Sequence, residues 1–248
     1  VFMGTAPLHD QENRGLDDKQ INLGVVQPGE KIAIFSDALR RLTNQAKFMH
    51  SDMGRYWYSM AASLNRLASD RAGQLEDALV LVNIDKALSA YINGLTDRGH
   101  FDAVQVAPDS NAEVPDEAGG IRAVVLGVNY PHNGRDGSAA ITEVRDMLIQ
   151  KGSTPRVYRN TLVFLAADQK QIDNLDDAMR ASIAWEDIVR DSENGRLDLR
   201  TSDISLAKEK LKEAQNTLQT RLKEAWSYLI YPYQETAQAD VELTSSKI

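Results

Sequence analysis

The side chains best placed to do chemistry in this 248-residue chain gather around one stretch, Pro155 to Asp168, which reads P-R-V-Y-R-N-T-L-V-F-L-A-A-D. Arg156, Arg159 and Asn160 enter a continuous apolar run, Leu162 to Ala167, and Asp168 ends it. Guanidinium groups are planar forks that suit oxyanions, so Arg156 and Arg159 could meet a phosphate in trans or an acidic surface. A solvated strand end with ordinary ion pairs is the plainer reading of both. Asn160 suits a bond to a neighbouring loop backbone. Asp168, an acid placed after a buried strand, could help hold Mg²⁺. Capping the next helix is the commoner use of such an acid, and no second acid follows it directly.

Other chemistries are excluded or weak. Cysteine is absent, which removes disulfides, thiol nucleophiles and Cys-ligated zinc together. His9, His50, His100 and His132 lie far apart and lack metal-ligand spacing. His132, beside Asn133-Gly134-Arg135, falls after an apolar segment, where open parallel sheets bind ligands; a plain loop histidine is the simpler reading. No serine has a His/Asp arrangement that makes a triad. Neither G-x-x-x-x-G-K-[ST] nor G-x-G-x-x-G occurs, so any contact with ATP must complete a site built elsewhere. No catalytic residue and no metal ligand is therefore assigned.

A second polar cluster is basic. Between Asp37 and Arg71, Arg40, Arg41, Lys47, Arg55, Arg66 and Arg71 outnumber Asp37, Asp52 and Asp70. With Tyr56, Trp57 and Tyr58 nearby, Arg40, Arg41, Arg55 and Arg66 are candidate nucleic-acid contacts on a hairpin wing. Core aromatics with solvated arginines are the alternative. The whole chain has a net charge of -8 and a pI near 5.1, which rules out a uniformly basic surface but not a local basic patch. Hydrophobic residues make up 42% and charged ones 26%, as in ordinary globular proteins. No signal peptide is present, and no apolar run approaches the roughly 18 residues of a membrane span. A soluble, cytoplasmic protein without membrane contact is the expectation. Val1-Phe2-Met3 reads as the inside of a strand with no initiator Met, which points to a fragment of a longer protein.

The elements that position these groups follow from periodicity. His9 to Gln20 and Ile21 to Gly24 read as loop, with a turn at Pro28-Gly29. Ser36 is placed to cap a helix carrying Ala38, Leu39, Leu42 and Ala46 on one side. Aromatic, alternating arms around Asp52-Met53-Gly54 predict a β-hairpin, and a helix followed by a hairpin reads as a winged-helix-like unit. Helical spacing then runs from Leu64 through Val82 and, less cleanly, to Gly94. Phe101 to Val106 and Ile121 to Val128 read as strands around an acidic loop. Ser138 caps a helix with Ile141, Val144, Met147 and Leu148 inward, closed by Gly152. Val157 to Ala167 is the next strand, and Asp168, with Gln171 at the capping-box position, opens a helix with Ile172, Leu175, Met179 and Ile183 on one face. Leu206 to Leu229 marks a long helix stopped at Pro232. The predicted fold is α-rich α/β: residues 1–95 helix-rich and winged-helix-like, 96–192 a βαβ-type, mostly parallel sheet domain, 203–233 a long amphipathic helix, and 234–248 a disordered tail.

G-R-Y-W-Y-S-M (Gly54 to Met60), followed by L-N-R-L-A-S-D-R-A (Leu64 to Ala72), resembles a stretch recurring in large prokaryotic predicted ATPases of the AAA+ superfamily. That family is of unknown function and often sits in anti-phage or restriction-type gene clusters. Pro155 to Asp168, with the helix to A-W-E-D-I (Ala184 to Ile188), is similar to the family's later hallmark. N-L-G-V-V-Q-P-G-E (Asn22 to Glu30) and D-A-L-R-R-L (Asp37 to Leu42) fit the same order. The resemblance spans Val1 to about Tyr233. It implies a segment downstream of the nucleotide-binding motifs, with no cofactor of its own; ATP and Mg²⁺ belong to the parent protein. The implied partners are the rest of that ATPase, and DNA or a defence-system protein. Oligomer formation through the final helix stays open.

Overall fold

A computed structural model describes residues 1–5, 15–46, 48–58, 64–197, 199, 201–236 and 238–248. It divides the chain into two compact units, Val1–Gln74 with Ile183–Lys210, and Leu75–Ser182 with Leu211–Ile248. Both combine helix and sheet, so the protein is mixed α/β and helix-rich.

The first unit opens with α1 (Phe2–Thr5), where a strand was expected at Val1 to Met3. Phe2 and Met3 are exposed rather than alternating, and the Gly4 and Thr5 N–H groups donate to Val1 O, closing a helical turn instead of a ladder. β1 (Leu16–Asp17) leads into α2 (Asp18–Val25), a helix where loop was read. The overlooked signal is a capping box. Asp17 Oδ1 accepts from Gln20 N at 2.8 Å, and Gln20 Oε1 accepts from Asp17 N at 3.0 Å. Residues 6–14, with the rest of the expected loop and His9, lie outside the described residues.

α3 (Ile32–Gln45) begins four residues before Ser36, so Ser36 is interior and Lys31 stands at the cap. Leu39 is buried, whereas Ala38 and Leu42 are exposed, not inward as expected. β2 (Met49–Asp52) and β3 (Arg55–Tyr58) form the expected hairpin. Its two-residue turn is Met53-Gly54, both at positive φ (44° and 74°), the left-handed pair that matches strand twist. β1 adds to β3, giving the order β1-β3-β2, all antiparallel. Ile21, Leu39 and Met49 form the core beneath, with Leu16, Tyr56 and Tyr58 packed on it. α4 (Leu64–Gly73) follows. The helical pattern read onward from Leu64 is broken after Gly73 and resumes in the second unit as α5 (Asp77–Asn93), ending at Gly94.

The second unit is built on a five-stranded sheet. Its strands include β4 (Ala103–Val106) and β5 (Arg122–Val125), the latter joined through α6 (Ala139–Ile149) and the small hairpin β6 (Gln150–Lys151) and β7 (Thr154–Pro155) to β8 (Leu162–Ala167). Gly152 does not close α6; at φ 58° it makes the turn of the small hairpin, and α6 ends at Ile149. α7 (Ile172–Glu193) and α8 (Thr201–Ala225) each contribute residues to both units.

The expected long helix to Pro232 stops at Ala225. Trp226–Tyr233 is instead β9, and the expected disordered tail contains β10 (Glu242–Lys247). The composition W-S-Y-L-I-Y-P-Y favours a pleated, half-buried surface over a helix. Pro232 is tolerated because β9 pairs with β8 only up to Ile230. The sheet order is β10-β9-β8-β5-β4. β4, β5 and β8 run parallel, whereas β9 and β10 are antiparallel, so the sheet is mixed rather than mostly parallel. Val124, Leu126, Phe164, Ala166 and Ile230 face Ile141, Val144 and Met147 of α6, and all are buried. No helix among the described residues is long and apolar enough to cross a membrane.

Candidate functional site

Strands β5 and β8 end side by side, and the chain leaving β5 runs twelve residues (Leu126–Gly137) before Ser138 caps α6. His132 ties this loop to the end of β8. Its N–H donates to Ala167 O at 2.7 Å, and its carbonyl accepts from Gln169 N at 2.9 Å. The His132 Nδ1 and Ser138 Oγ lie 2.7 Å apart. Ser138 Oγ already accepts from Ile141 N at 3.3 Å, so its hydroxyl proton is best spent on Nδ1. That assignment puts the ring proton on Nε2, which is buried without a partner. The ring is 1% exposed and meets Tyr228 edge-to-face at 4.6 Å. Burial pushes the His132 pKa down, although the nearby Asp136 and Asp168 carboxylates act against the shift.

Asp168 completes this end. Its Oδ1 accepts from Lys170 N at 3.0 Å, and its Oδ2 pairs with Lys247 Nζ of β10 at 2.6 Å. Lys247 also lies 5.5 Å over the Tyr228 ring. Asp168 therefore caps, as expected, but it caps a 3-10 turn at Gln169–Gln171 that precedes α7, and it bonds Lys170 rather than forming a box with Gln171. Although burial raises its pKa, the Lys247 and Lys170 bonds outweigh that and leave it lowered. On α5, Asp85 Oδ1 accepts from Val128 N at 2.8 Å, which pins the loop from another side, and burial raises its pKa. A Cβ at Gly127 would sit 3.2 Å from Asp85 Oδ2, a tight contact that the carboxylate would have to relieve.

The amino ends of the parallel strands carry the other candidates. Arg156 is fully buried. Its Nε donates to Met147 O at 2.6 Å, and its terminal nitrogens donate to Pro115 O at 2.8 Å and Val114 O at 3.0 Å. Asp116 lies 3.9 Å away and accepts from the Val157 and Tyr158 N–H groups at 2.8 and 2.9 Å. Those two backbone bonds, then the Arg156 charge, hold its carboxyl below the usual carboxylate range. Arg159 and Asn160 are exposed, with Arg159 Nε donating to Arg156 O at 3.3 Å. A cleft of about 280 Å³, lined among others by Asp102, Glu117, Arg122 and Thr161, opens at the same end.

The basic candidates of the first unit are engaged locally. Arg40 and Arg41 share Asp37 at 2.7 and 2.8 Å, Arg66 pairs with Asp70 at 2.9 Å, and Arg55 donates to Gly15 O at 2.7 Å. Trp57 stacks on His50, with ring centroids 5.7 Å apart. Among the described residues, no group of three or more His, Cys, Asp or Glu could hold a metal ion. The structure thus gathers His132, Ser138 and Asp168 at one end and Arg156, Arg159 and Asn160 at the other. Lys247, Tyr228, Asp85 and Asp116 were missed, because their partners lie too far along the chain for any local pattern to link them. No protein-family model, curated protein or solved structure matches this chain.

Two outcomes follow from this geometry. Arg156→Ala strands the buried Met147 and Val114 carbonyls and the part-buried one of Pro115, and leaves Asp116 without its cation, so urea unfolding should register a loss of about 3–5 kcal/mol. Arg159→Ala, at the exposed neighbour, should stay within about 0.5 kcal/mol. His132 supplies the pH dependence. Its folded pKa lies below the ordinary value near 6.5, so the unfolded chain takes up the proton first. Stability should fall as pH drops below about 6.5. In urea titrations between pH 8 and 5, His132→Asn should flatten that slope.

Proposed function

We propose that this chain is the part of a large AAA+-type ATPase downstream of its nucleotide-binding motifs. It has no P-loop and relays nucleotide state to a partner or to DNA in anti-phage defence. The observation that carries this reading is an intact hallmark segment, Pro155 to Asp168, in a sequence that holds no phosphate-cradling loop. The motif order from Asn22 to Ile188 supports it, as does the placement of that segment in the middle strand of a five-stranded sheet. Two of the candidate phosphate contacts are already engaged within the chain. Asp168 is committed to Lys247 and to Lys170 N, and Arg156 spends its guanidinium on carbonyls. Arg159 and Asn160 are the exposed polar groups left for contact with the rest of the parent.

A second reading, a winged-helix-like nucleic-acid module in the first unit, is favoured by one specific feature. Arg40 and Arg41 are both largely exposed and share a single carboxylate, Asp37, which leaves α3 with a net positive face beside the hairpin.

The purified chain should hydrolyse no ATP above a buffer control in a coupled phosphate assay; substantial turnover would overturn the leading reading. The second reading predicts duplex DNA affinity that drops steeply between 50 and 200 mM salt, on the order of tenfold for each two or so phosphates neutralised. It should weaken again in Arg41→Glu, and affinity indifferent to both changes would dispose of it.

A further inference from the structure

The chain contains three Asn-Gly pairs, Asn93-Gly94, Asn133-Gly134 and Asn194-Gly195. Asn-Gly is the pair in which a backbone nitrogen most readily reaches the preceding side-chain amide, because glycine places no side chain in the way. All three asparagines are exposed, so exposure does not distinguish them. Hydrogen bonding does.

In two pairs the attacking nitrogen is already engaged. Gly94 N donates to Ala90 O at 3.1 Å at the end of α5, and Gly195 N donates to Ser192 O at 3.2 Å after α7. Gly134 N has no hydrogen-bond partner among the described residues. The electrophile is also set up in this pair alone. Asn133 Oδ1 accepts from Arg135 N at 3.0 Å, a bond that draws electron density from Cγ and stabilises the oxyanion formed on attack. Gly134 stands at φ 77°, and even the Cβ it lacks would meet only Tyr228 Oη at 3.6 Å, so little is packed against the glycine.

We propose that Asn133 is a self-modification site at the carboxyl end of the sheet, where the Gly134 nitrogen displaces the side-chain amide. The Gly134 N–H gives its proton to solvent base and the nitrogen attacks Asn133 Cγ. The new N–Cγ bond closes a succinimide as the Cγ–Nδ2 bond breaks, and ammonia leaves with the returned proton. Water then opens either imide carbonyl, giving aspartate or isoaspartate. No oxidant, reductant or second protein enters the balance. The site is not neutral ground. Asn133 follows His132, whose backbone bonds Ala167 at the end of β8 and Gln169 in the turn after it, and precedes Ser138, whose hydroxyl faces the His132 ring. Isoaspartate lengthens the main chain between these two anchors and adds a carboxylate one residue from the buried His132.

The test is site-resolved peptide mass spectrometry on the intact chain, incubated at neutral pH in ¹⁸O-water, native and in urea. Trypsin releases Ala123 to Arg135 as one peptide, and label uptake distinguishes reaction during incubation from earlier change. In the native protein Asn133 should convert fastest. One ordinary hydrogen bond at each of the other attacking nitrogens corresponds to roughly a fivefold slower reaction there. In urea, where the bonds at Gly94 and Gly195 are gone, the three rates should converge. Native Asn133 converting no faster than Asn93 or Asn194 would overturn the proposal, as would rates in urea that keep the native order. Arg135→Pro, which removes the polarising N–H, should slow Asn133 alone, with a thermal melt confirming that the variant is folded; an unchanged rate in that folded variant also counts against it.

Discussion

The second unit depends on β8 having a hydrogen-bonded neighbour on each side. It pairs in parallel with β5 and antiparallel with β9, so its backbone polar groups are met without water. Only then can Leu162, Phe164, Ala166 and Ala167 be buried with no polar side chain among them. Phe164 is fully enclosed, and its neighbours come from β5, β9 and α6. Losing β9 would leave an unpaired edge in the middle of the core. The segment that reads in sequence as the end of a long helix therefore supports the strand that the sequence makes most of.

A strand buried this way must exchange apolar run for charge at both ends, and the two ends do so differently. At the amino end Arg156 is enclosed, its charge spread over three carbonyls with Asp116 near. Desolvating a guanidinium is costly, and dense hydrogen bonding offsets that cost. The result is a fixed corner that joins the acidic loop, the end of α6 and the chain entering β8. At the carboxyl end the charge is Asp168, matched by Lys247 from the last strand. A contact between residues 79 positions apart thus closes the sheet beside the loop that carries His132.

Much of the second unit was legible because its signals are local. The apolar run of β8, the Ser138 cap with four inward residues, and the hairpin turn of the first unit can each be read from a handful of neighbouring positions. The errors share a cause as well. The pattern of α8 runs on across Trp226 because Leu229 keeps helical spacing, yet the aromatic and β-branched composition of residues 226–231 is the better guide. The α2 helix hid behind Asp and Asn residues that suit loops and caps alike, and only the Asp17/Gln20 reciprocity separates the two. Among the site residues, Arg156 shows the limit most plainly. Sequence says that an arginine precedes a strand. Whether it points to solvent or into three carbonyls depends on Val114 and Pro115, some forty positions away.

The contrast between the ends bears on how a relay would work in such a domain. Coupling requires an element with two arrangements, and a fully satisfied, enclosed corner such as that of Arg156 offers only one. The carboxyl end is different. There His132 Nε2 is buried without a partner, and the Asp85 carboxyl is held above its usual range by burial while bonding the same loop. An unsatisfied donor inside a protein is a reservoir of unfavourable free energy that a rearranged loop can release. The twelve residues from Leu126 to Gly137 are held by separate bonds to α5, α6, β8, the turn after β8 and Trp226 rather than by a continuous ladder. An unsatisfied buried donor thus sits in the loop at the carboxyl ends of β5 and β8, whereas the amino-end corner has Arg156 bonded at every guanidinium nitrogen.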